Sequence, residues 1–310
     1  MNNDSPLVTI IVPTYNSSAT LVLTLRGILA QELTDYEVWV VGDGCSDDSG
    51  AVVAAFNEPR FHWYNLPFNS TSQSGPNNEG LRRARGRYIA YSNHDDLWLP
   101  WHLSGLLHEI SSSGADLVHA LVVLLGPNGR VEAQGAPPPH HSYATHFITP
   151  SGWLHRRELV DECGFWPAPQ QTHSGVDFDY LRRIYRAGKT IRACRQMSVL
   201  HLPSLWWKTY SMQGVPPQQA YLEELLTNPR QLEARLLMDM ALALGAVRPD
   251  DTPSALGAWL TPLRWMWRQM TLHFDDQRWP LFQMQSLKYQ LYRRRMRSRR
   301  GLAPLKRRQP

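Results

Sequence analysis

Tyr88-Ile89-Ala90-Tyr91-Ser92-Asn93-His94-Asp95-Asp96-Leu97-Trp98-Leu99-Pro100 is an apolar, β-prone run that ends in two adjacent carboxylates. A helical pattern starting near Pro100 follows, with Leu103, Leu106, Leu107 and Ile110 on one face. The acidic pair is thereby left at the end of a strand. Adjacent carboxylates repel, so they persist where a cation shares their charge. Oxygen ligands suit magnesium or manganese, which keep several waters and bridge to substrate phosphates. Taken alone, the dipeptide reads more readily as part of a solvated loop. The rest of the chain decides between the two.

Upstream, Leu7-Val8-Thr9-Ile10-Ile11-Val12 is nearly unbroken and β-branched, the pattern of a strand buried on both faces of a parallel sheet. It stops at Pro13-Thr14-Tyr15-Asn16, after which Ser17 and Ser18 can cap a helix with Leu21, Leu25, Ile28 and Leu29 at helical spacing. Tyr36 to Val41 forms a second strand, ending at Gly42-Asp43-Gly44-Cys45-Ser46-Asp47-Asp48, and Ala51 to Phe56 resumes a helix. Residues 61–64 read as a third strand, and Asn78 to Arg85 as the helix leading to Tyr88. Strand and helix alternating at this spacing predict right-handed crossovers and an α/β fold, a doubly wound, mostly parallel sheet flanked by helices. Ligands of such sheets bind beyond the C-terminal strand ends, where Tyr15, Asp43 and the Asp95-Asp96 pair all fall.

The chain of 310 residues is 43% hydrophobic and 19% charged, which places it among globular proteins. Cys45, Cys163 and Cys194 give neither a disulfide framework nor zinc spacing, which favours a reducing compartment. No apolar run has the length of a membrane span and Met1-Asn2-Asn3-Asp4 does not open a signal peptide, so the expected location is cytoplasmic. Residues 288–310 hold ten basic and no acidic side chains; with a total of +5, the preceding part carries −5. The basic character belongs to the tail, whose partner is an acidic surface.

Three stretches together, Val8 to Asn16, Glu37 to Asp47, and Ala84-Arg85-Gly86-Arg87-Tyr88-Ile89-Ala90 leading to Asp95-Asp96, resemble glycosyltransferase family 2. The resemblance covers residues 6–110 in strong motifs and 150–211 in weaker ones. It implies the GT-A fold and a nucleotide-diphospho-sugar donor. Donor contacts are implied for Pro13, Thr14, Tyr15, Asn16, Asp43, Asn78, Asn93 and Asp95. Tyr15 would stack on the base, Asp43 accept from it, and Asp95 and Asp96 serve the ribose and a divalent ion, Mg2+ or Mn2+. An aromatic face stacks on any base, and a carboxylate can accept from a ring N–H. The chain departs from the family pattern at Gly42 and Asn93, where acids are common, and at Pro76-Asn77-Asn78, where Ala-Arg-Asn is frequent.

Inverting sugar transfer needs a base for the acceptor hydroxyl. The resemblance puts it at Asp177, in Ser174-Gly175-Val176-Asp177-Phe178-Asp179, with Val176 in place of the usual Glu. The competing role for Asp177 is a helix cap, whose N–H bonds would lower its pKa and weaken it as a base. Asp179, two residues on, faces away and is read as structural. His201, after the strand-like Met197 to Leu200, is a further metal or diphosphate ligand by the same resemblance, against the ordinary role of a hydrogen-bonded histidine. Lys208 can meet the diphosphate as a point charge. Alternation points His94 away from the acidic pair, and His140 and His141 follow Pro137-Pro138-Pro139 in a solvated loop or a flap.

A first domain, residues 1–215, is expected to close at Val215-Pro216-Pro217, followed by a helical C-terminal extension, 216–310. There Leu256, Trp259, Leu260, Leu263, Met266, Trp267 and Met270 form one helical stripe, read as packing or as an interfacial helix. The function expected is a metal-dependent, inverting glycosyltransferase acting on a hydroxyl of a glycan or lipid-linked acceptor. The alternative is a nucleotide-sugar-binding scaffold whose catalysis has lapsed, for which Gly42, Asn77, Asn93 and Val176 speak. A nucleotidyltransferase would carry a Gly-rich basic loop where Pro13-Thr14-Tyr15-Asn16 stands. Nucleic acid is a poorer partner for the tail than an anionic membrane, since only Tyr289 and Tyr292 offer stacking there. Each basic residue near an anionic membrane contributes roughly 1 kcal/mol. Deleting residues 288–310 is therefore expected to release the protein from anionic vesicles; unchanged co-sedimentation would remove the membrane role from the tail.

Overall fold

The computed structural model of the protein describes residues 5–135, 142–172, 174–207 and 214–245. Strand β1 (Val8–Thr14) is buried at every position, because it lies between β2 (Tyr36–Gly42) and β4 (Tyr88–Tyr91), parallel to both. Strand β3 (Phe61–Asn65) extends this parallel half beyond β2. The intervening helices are α1 (Ser18–Leu29), α2 (Ser49–Ala55) and α3 (Ser74–Arg83). Successive strand side chains point to opposite faces, so Ile10 and Ile11 enter different core clusters, each fully buried. Helix α1 buries Leu21, Leu25 and Ile28 as their spacing predicts, while Leu29 turns outward at 37% exposure.

The other half departs from a simple parallel winding. Strand β5 (Leu97–Trp98) precedes α4 (His102–Ser113), which buries Leu103, Leu106 and Ile110 and stops at Gly114 in a left-handed conformation (φ 68°). Strand β6 (Leu117–Leu125) does not join β4. Strand β8 (Trp153–Arg156) lies between them, antiparallel to both. Strand β7 (Val131–Gln134) returns along β6 as a hairpin, β9 (Ile191–His201) runs parallel to β6, and β5 closes the edge antiparallel to β9. The order is β3-β2-β1-β4-β8-β6-β9-β5 with β7 also on β6: a mixed sheet, flanked by helices.

Opposite β6, β9 is irregular. It advances from Ala193 to Met197 while β6 advances from His119 to Leu121, and from Met197 to Val199 while β6 moves one residue further. Such bulges bend a strand and re-aim its side chains. Beyond it, His201 pairs with Leu124.

Helices α5 (Leu159–Cys163) and α6 (Val176–Arg186) cover one face through Leu159, Val160, Tyr180, Leu181 and Ile184. A four-residue helix, α7 (Ser204–Trp207), follows β9. After the boundary expected near 215, α8 (Gln218–Thr227) and α9 (Pro229–Gly245) pack on the sheet domain. Leu222, Leu225, Leu232 and Leu236 share one cluster with Leu23, Leu97, Leu99, Trp101 and Leu200. The stripe from Leu256 to Met270 and the basic tail lie outside the described residues. Among the described residues, no helix is long and apolar enough to cross a membrane.

Three histidines are built into this core. His102 stacks on Trp98 at 4.3 Å and contacts Ser198 Oγ at 2.8 Å; His119 meets the Tyr143 hydroxyl at 2.9 Å and His155 that of Tyr91 at 3.0 Å. Burial pushes His102 down to about 3, and His119 and His155 down to about 4, from an ordinary 6.5. The unfolded chain therefore binds more protons below that ordinary value. Stability is whole above it and is lost as pH falls toward 4, by about 1.4 kcal/mol per histidine and pH unit. Melting temperature should fall between about pH 7 and about pH 5, and less steeply for His102→Asn, when followed by circular dichroism.

Candidate active site

The parallel strands deliver their C-terminal ends to one rim. At the end of β2, the Asp43 N–H donates to the Thr14 carbonyl at 2.8 Å, which fixes the carboxylate beside the end of β1. Asp43 is 5% exposed, and its Oδ1 accepts the Ser70 N–H at 2.7 Å. Gly42 has a steric cause: a Cβ there would run into Asn65 and, at 2.8 Å, Trp63. Asn65 is occupied in bracing the β2 loop, accepting the Cys45 N–H at 2.8 Å and donating to its carbonyl at 2.9 Å.

Tyr15 is half-buried on this rim. Asn16 has a left-handed backbone (φ 43°), and its Oδ1 accepts the Ser46 and Asp47 N–H groups at 2.8 and 3.4 Å. It ties the β1 loop to the β2 loop. The Pro13 carbonyl lies 3.2 Å from His94 Nδ1, so His94 is buried against β1.

The acidic pair is held from several directions. Asp96 is fully buried; its Oδ1 lies 2.6 Å from His201 Nδ1 at the end of β9, and its Oδ2 accepts Asn93 Nδ2 at 2.8 Å and the Ser151 hydroxyl. Ser151 sits in a single 3-10 turn, Pro150–Gly152, ahead of β8, and also accepts the Asn93 N–H at 2.9 Å. Asp95 is 4% exposed; its Oδ2 accepts the Ser204 hydroxyl at 2.7 Å and its carbonyl accepts Gln218 Nε2 at 3.0 Å. Burial opposes charge on His201, yet Asp96, with Asp95 and Asp177 adding, leaves its pKa raised. Asp177 therefore lies within the electrostatic reach of this cluster.

Asp177 stands in the first turn of α6. Its Oδ1 accepts the N–H of the next residue, Phe178, at 2.8 Å and its Oδ2 accepts Gln73 Nε2 at 3.0 Å; the cap position of α6 belongs to Gly175, so Asp177 is not the helix cap. Both bonds lower its pKa, but burial outweighs them and raises it above the ordinary carboxylate value. The carboxylate is thus more basic than a cap implies. Asp179 bonds the Ser174 hydroxyl and pairs with Arg182 at 3.7 Å, a structural role. Asn78 clamps α3 to Trp166, donating to its carbonyl at 3.0 Å and accepting its N–H at 2.9 Å.

The structure thus brings Asp43, Asp95, Asp96 and His201 to one rim; Asp177 stands at the start of α6, bonded to Gln73, and its charge adds to those that raise His201. It adds Gln73, Ser151, Ser204 and Gln218, which sequence reasoning missed. Pro150-Ser151-Gly152 signals a turn, but nothing local tells that the turn folds under Asp96. Lys208, His140 and His141 lie outside the described residues.

Among the described residues no three His, Cys, Asp or Glu side chains form a ready metal cage. Asp96 Oδ1 and His201 Nδ1, 2.6 Å apart, are hydrogen-bonded to each other, with a second carboxylate adjacent in the chain; their atom types suit magnesium or manganese once the imidazole proton is given up. Such ions take the rest of their ligands from water and phosphate.

A family model for glycosyl transferase family 2 matches residues 9–164. The succinoglycan biosynthesis protein ExoO of Rhizobium meliloti is 35% identical over 125 residues, 40% of this chain and 36% of that protein. The Escherichia coli UDP-Glc:alpha-D-GlcNAc-diphosphoundecaprenol beta-1,3-glucosyltransferase WfgD is 31% identical over 96 residues, 31% of this chain and 38% of its own length. The chain spans little more than a third of these relatives. Among solved structures, S. aureus TarS 1-349 in complex with UDP superposes with a TM-score of 0.55 at 19% identity, covering 95% of this chain and 91% of that one. The mannosyltransferase PcManGT of Pyrobaculum calidifontis, in complex with GDP-Man and Mn2+, gives 0.52 at 17% identity, covering 94% and 88%. These likenesses establish the fold, GT-A.

Ser151→Ala removes a buried donor from an ionised carboxylate, and the variant is expected to lose about 1.5–3 kcal/mol of unfolding free energy in urea titrations. A loss under about 0.5 kcal/mol would mean that Asn93 and His201 hold Asp96 unaided.

Proposed function

The chain belongs to glycosyl transferase family 2, and from that premise we propose that it transfers a sugar, with inversion, from a nucleotide-diphospho-sugar to a hydroxyl of a glycan or lipid-linked acceptor. The observation that carries the proposal is Asp177. This carboxylate is held by neutral donors, raised in pKa by burial, and near enough to His201, the acidic pair's partner, to help raise that group's pKa. A base of that kind takes the acceptor hydroxyl's proton while the oxygen bonds the anomeric carbon and the bond to the diphosphate breaks. The attack comes from the face opposite the leaving group, so the configuration inverts.

Tyr15 offers its ring to the nucleobase and Asp43 accepts from a ring N–H. Gln73, donating to Asp177 at 3.0 Å, orients the base. Asp96 and His201, with Asp95, would hold Mg2+ or Mn2+, whose chemistry is to neutralise the departing diphosphate. WfgD's name specifies a diphosphoundecaprenol acceptor, which supports a lipid-linked substrate met at the inner face of a membrane, with the enzyme cytoplasmic or peripheral. The lapsed-scaffold reading rests on the departures at Gly42, Asn77, Asn93 and Val176. Donor turnover with magnesium or manganese separates the two.

Asp177→Asn should keep donor binding and lower transfer by about two to four orders of magnitude. Transfer needs the ionised carboxylate, so kcat/KM should fall as pH drops through a pKa above the ordinary carboxylate range. That acid limb should vanish in the variant. Transfer by Asp177→Asn at the parental rate would remove the base assignment.

A further inference from the structure

Strand order sets the ends of β3, β2 and β1 side by side, so Asp43 stands between the loop that carries Tyr15 and the loop that follows β3. The β3 loop, residues 66–73, is fastened to Asp43. The Leu66 N–H donates to the Gly42 carbonyl at 2.9 Å, Asn69 Nδ2 to the Asp43 carbonyl at 2.9 Å, and the Ser70 N–H to Asp43 Oδ1 at 2.7 Å. Gly44 permits the closure. Its backbone is left-handed (φ 73°), and a Cβ there would lie 2.6 Å from the Asn69 nitrogen and 2.7 Å from the Phe68 carbonyl carbon.

Two features of this loop stand out. Phe68 is 72% exposed, the most exposed of the large aromatic side chains among the described residues, although the backbone that carries it is pinned. Thr71 is β-branched yet left-handed (φ 75°), and its hydroxyl is buried without a hydrogen-bond partner among the described residues. Strain of this kind is kept where it shapes a binding site.

We infer that Phe68 is the second wall of the donor's nucleobase site, facing Tyr15 across Asp43, so that the base is held between two rings while Asp43 reads its edge. The inference rests on the nucleotide-sugar reading. Strands lie about 4.8 Å apart, so the first and third are separated by about 9.6 Å. A base with a ring on each face needs two stacking contacts, about 7–8 Å, which that gap accommodates. Stacking tolerates any base, so the choice of base falls to Asp43. A planar base with a ring N–H for Asp43 fits, as in uracil, thymine or guanine, whereas cytosine presents an acceptor there.

The test is titration calorimetry of the full chain with UDP, dTDP and GDP in the presence of magnesium. Phe68→Ala and Phe68→Leu should each weaken the tightest of the three by about 5- to 100-fold, while Phe68→Trp stays within about threefold of the parent. Binding by Phe68→Ala or Phe68→Leu at the parental affinity would overturn the inference and leave the nucleotide-sugar reading standing. So would Phe68→Trp failing as badly as Phe68→Ala. If the folded parent binds none of the three, the nucleotide-sugar reading falls and this inference falls with it.

Discussion

The structure depends on keeping one carboxylate charged with no exposure to water. An unpaired carboxylate in a protein interior costs several kcal/mol, so Asp96 persists only because donors reach it from three separate parts of the chain. Asn93 comes from its own loop, Ser151 from the turn before β8, and His201 from the last position of β9. Satisfying that charge forces the loop after β4, the turn before β8 and the end of β9 to meet. The acidic pair is thereby a knot that joins the parallel half of the sheet to the mixed half, besides being a place for a cation.

Burial decides the chemistry of the neighbouring groups too. At Asp177 hydrogen bonding and desolvation pull in opposite directions, and the contest is settled by magnitudes. Bonds from neutral N–H donors favour the anion, desolvation disfavours it, and desolvation is the larger. At Gly42 a side chain would crowd Asn65 and Trp63, so a second acid there would require those two side chains to shift.

The parallel half of the fold was legible because its information is local. Unbroken β-branched runs mark strands buried on both faces, and polar loops at their ends mark the rim, so Tyr15, Asp43, Asp95 and Asp96 were found with no knowledge of the fold. The insertion of β8 between β4 and β6 was not legible, since a short strand such as Trp153–Arg156 has the same appearance in either direction. Nor were the partners of the acids. Ser151 is 55 residues from Asp96, Gln73 is 104 from Asp177, and Gln218 is 123 from Asp95. Ser, Gln and Asn carry no pattern that announces such distant pairings. His201 was the exception, singled out by the family resemblance from its place after an apolar strand.

The irregularity of β9 gives that histidine an address written in length. Because side chains along a strand alternate sides, the surplus residues between Ala193 and Val199 set the phase in which the upper part of β9 emerges. Removing or adding one residue there would leave the lower part of the strand docked on β6 and rotate the imidazole to the opposite side of the sheet. In related chains, substitutions within this segment should be common and changes in its residue count rare.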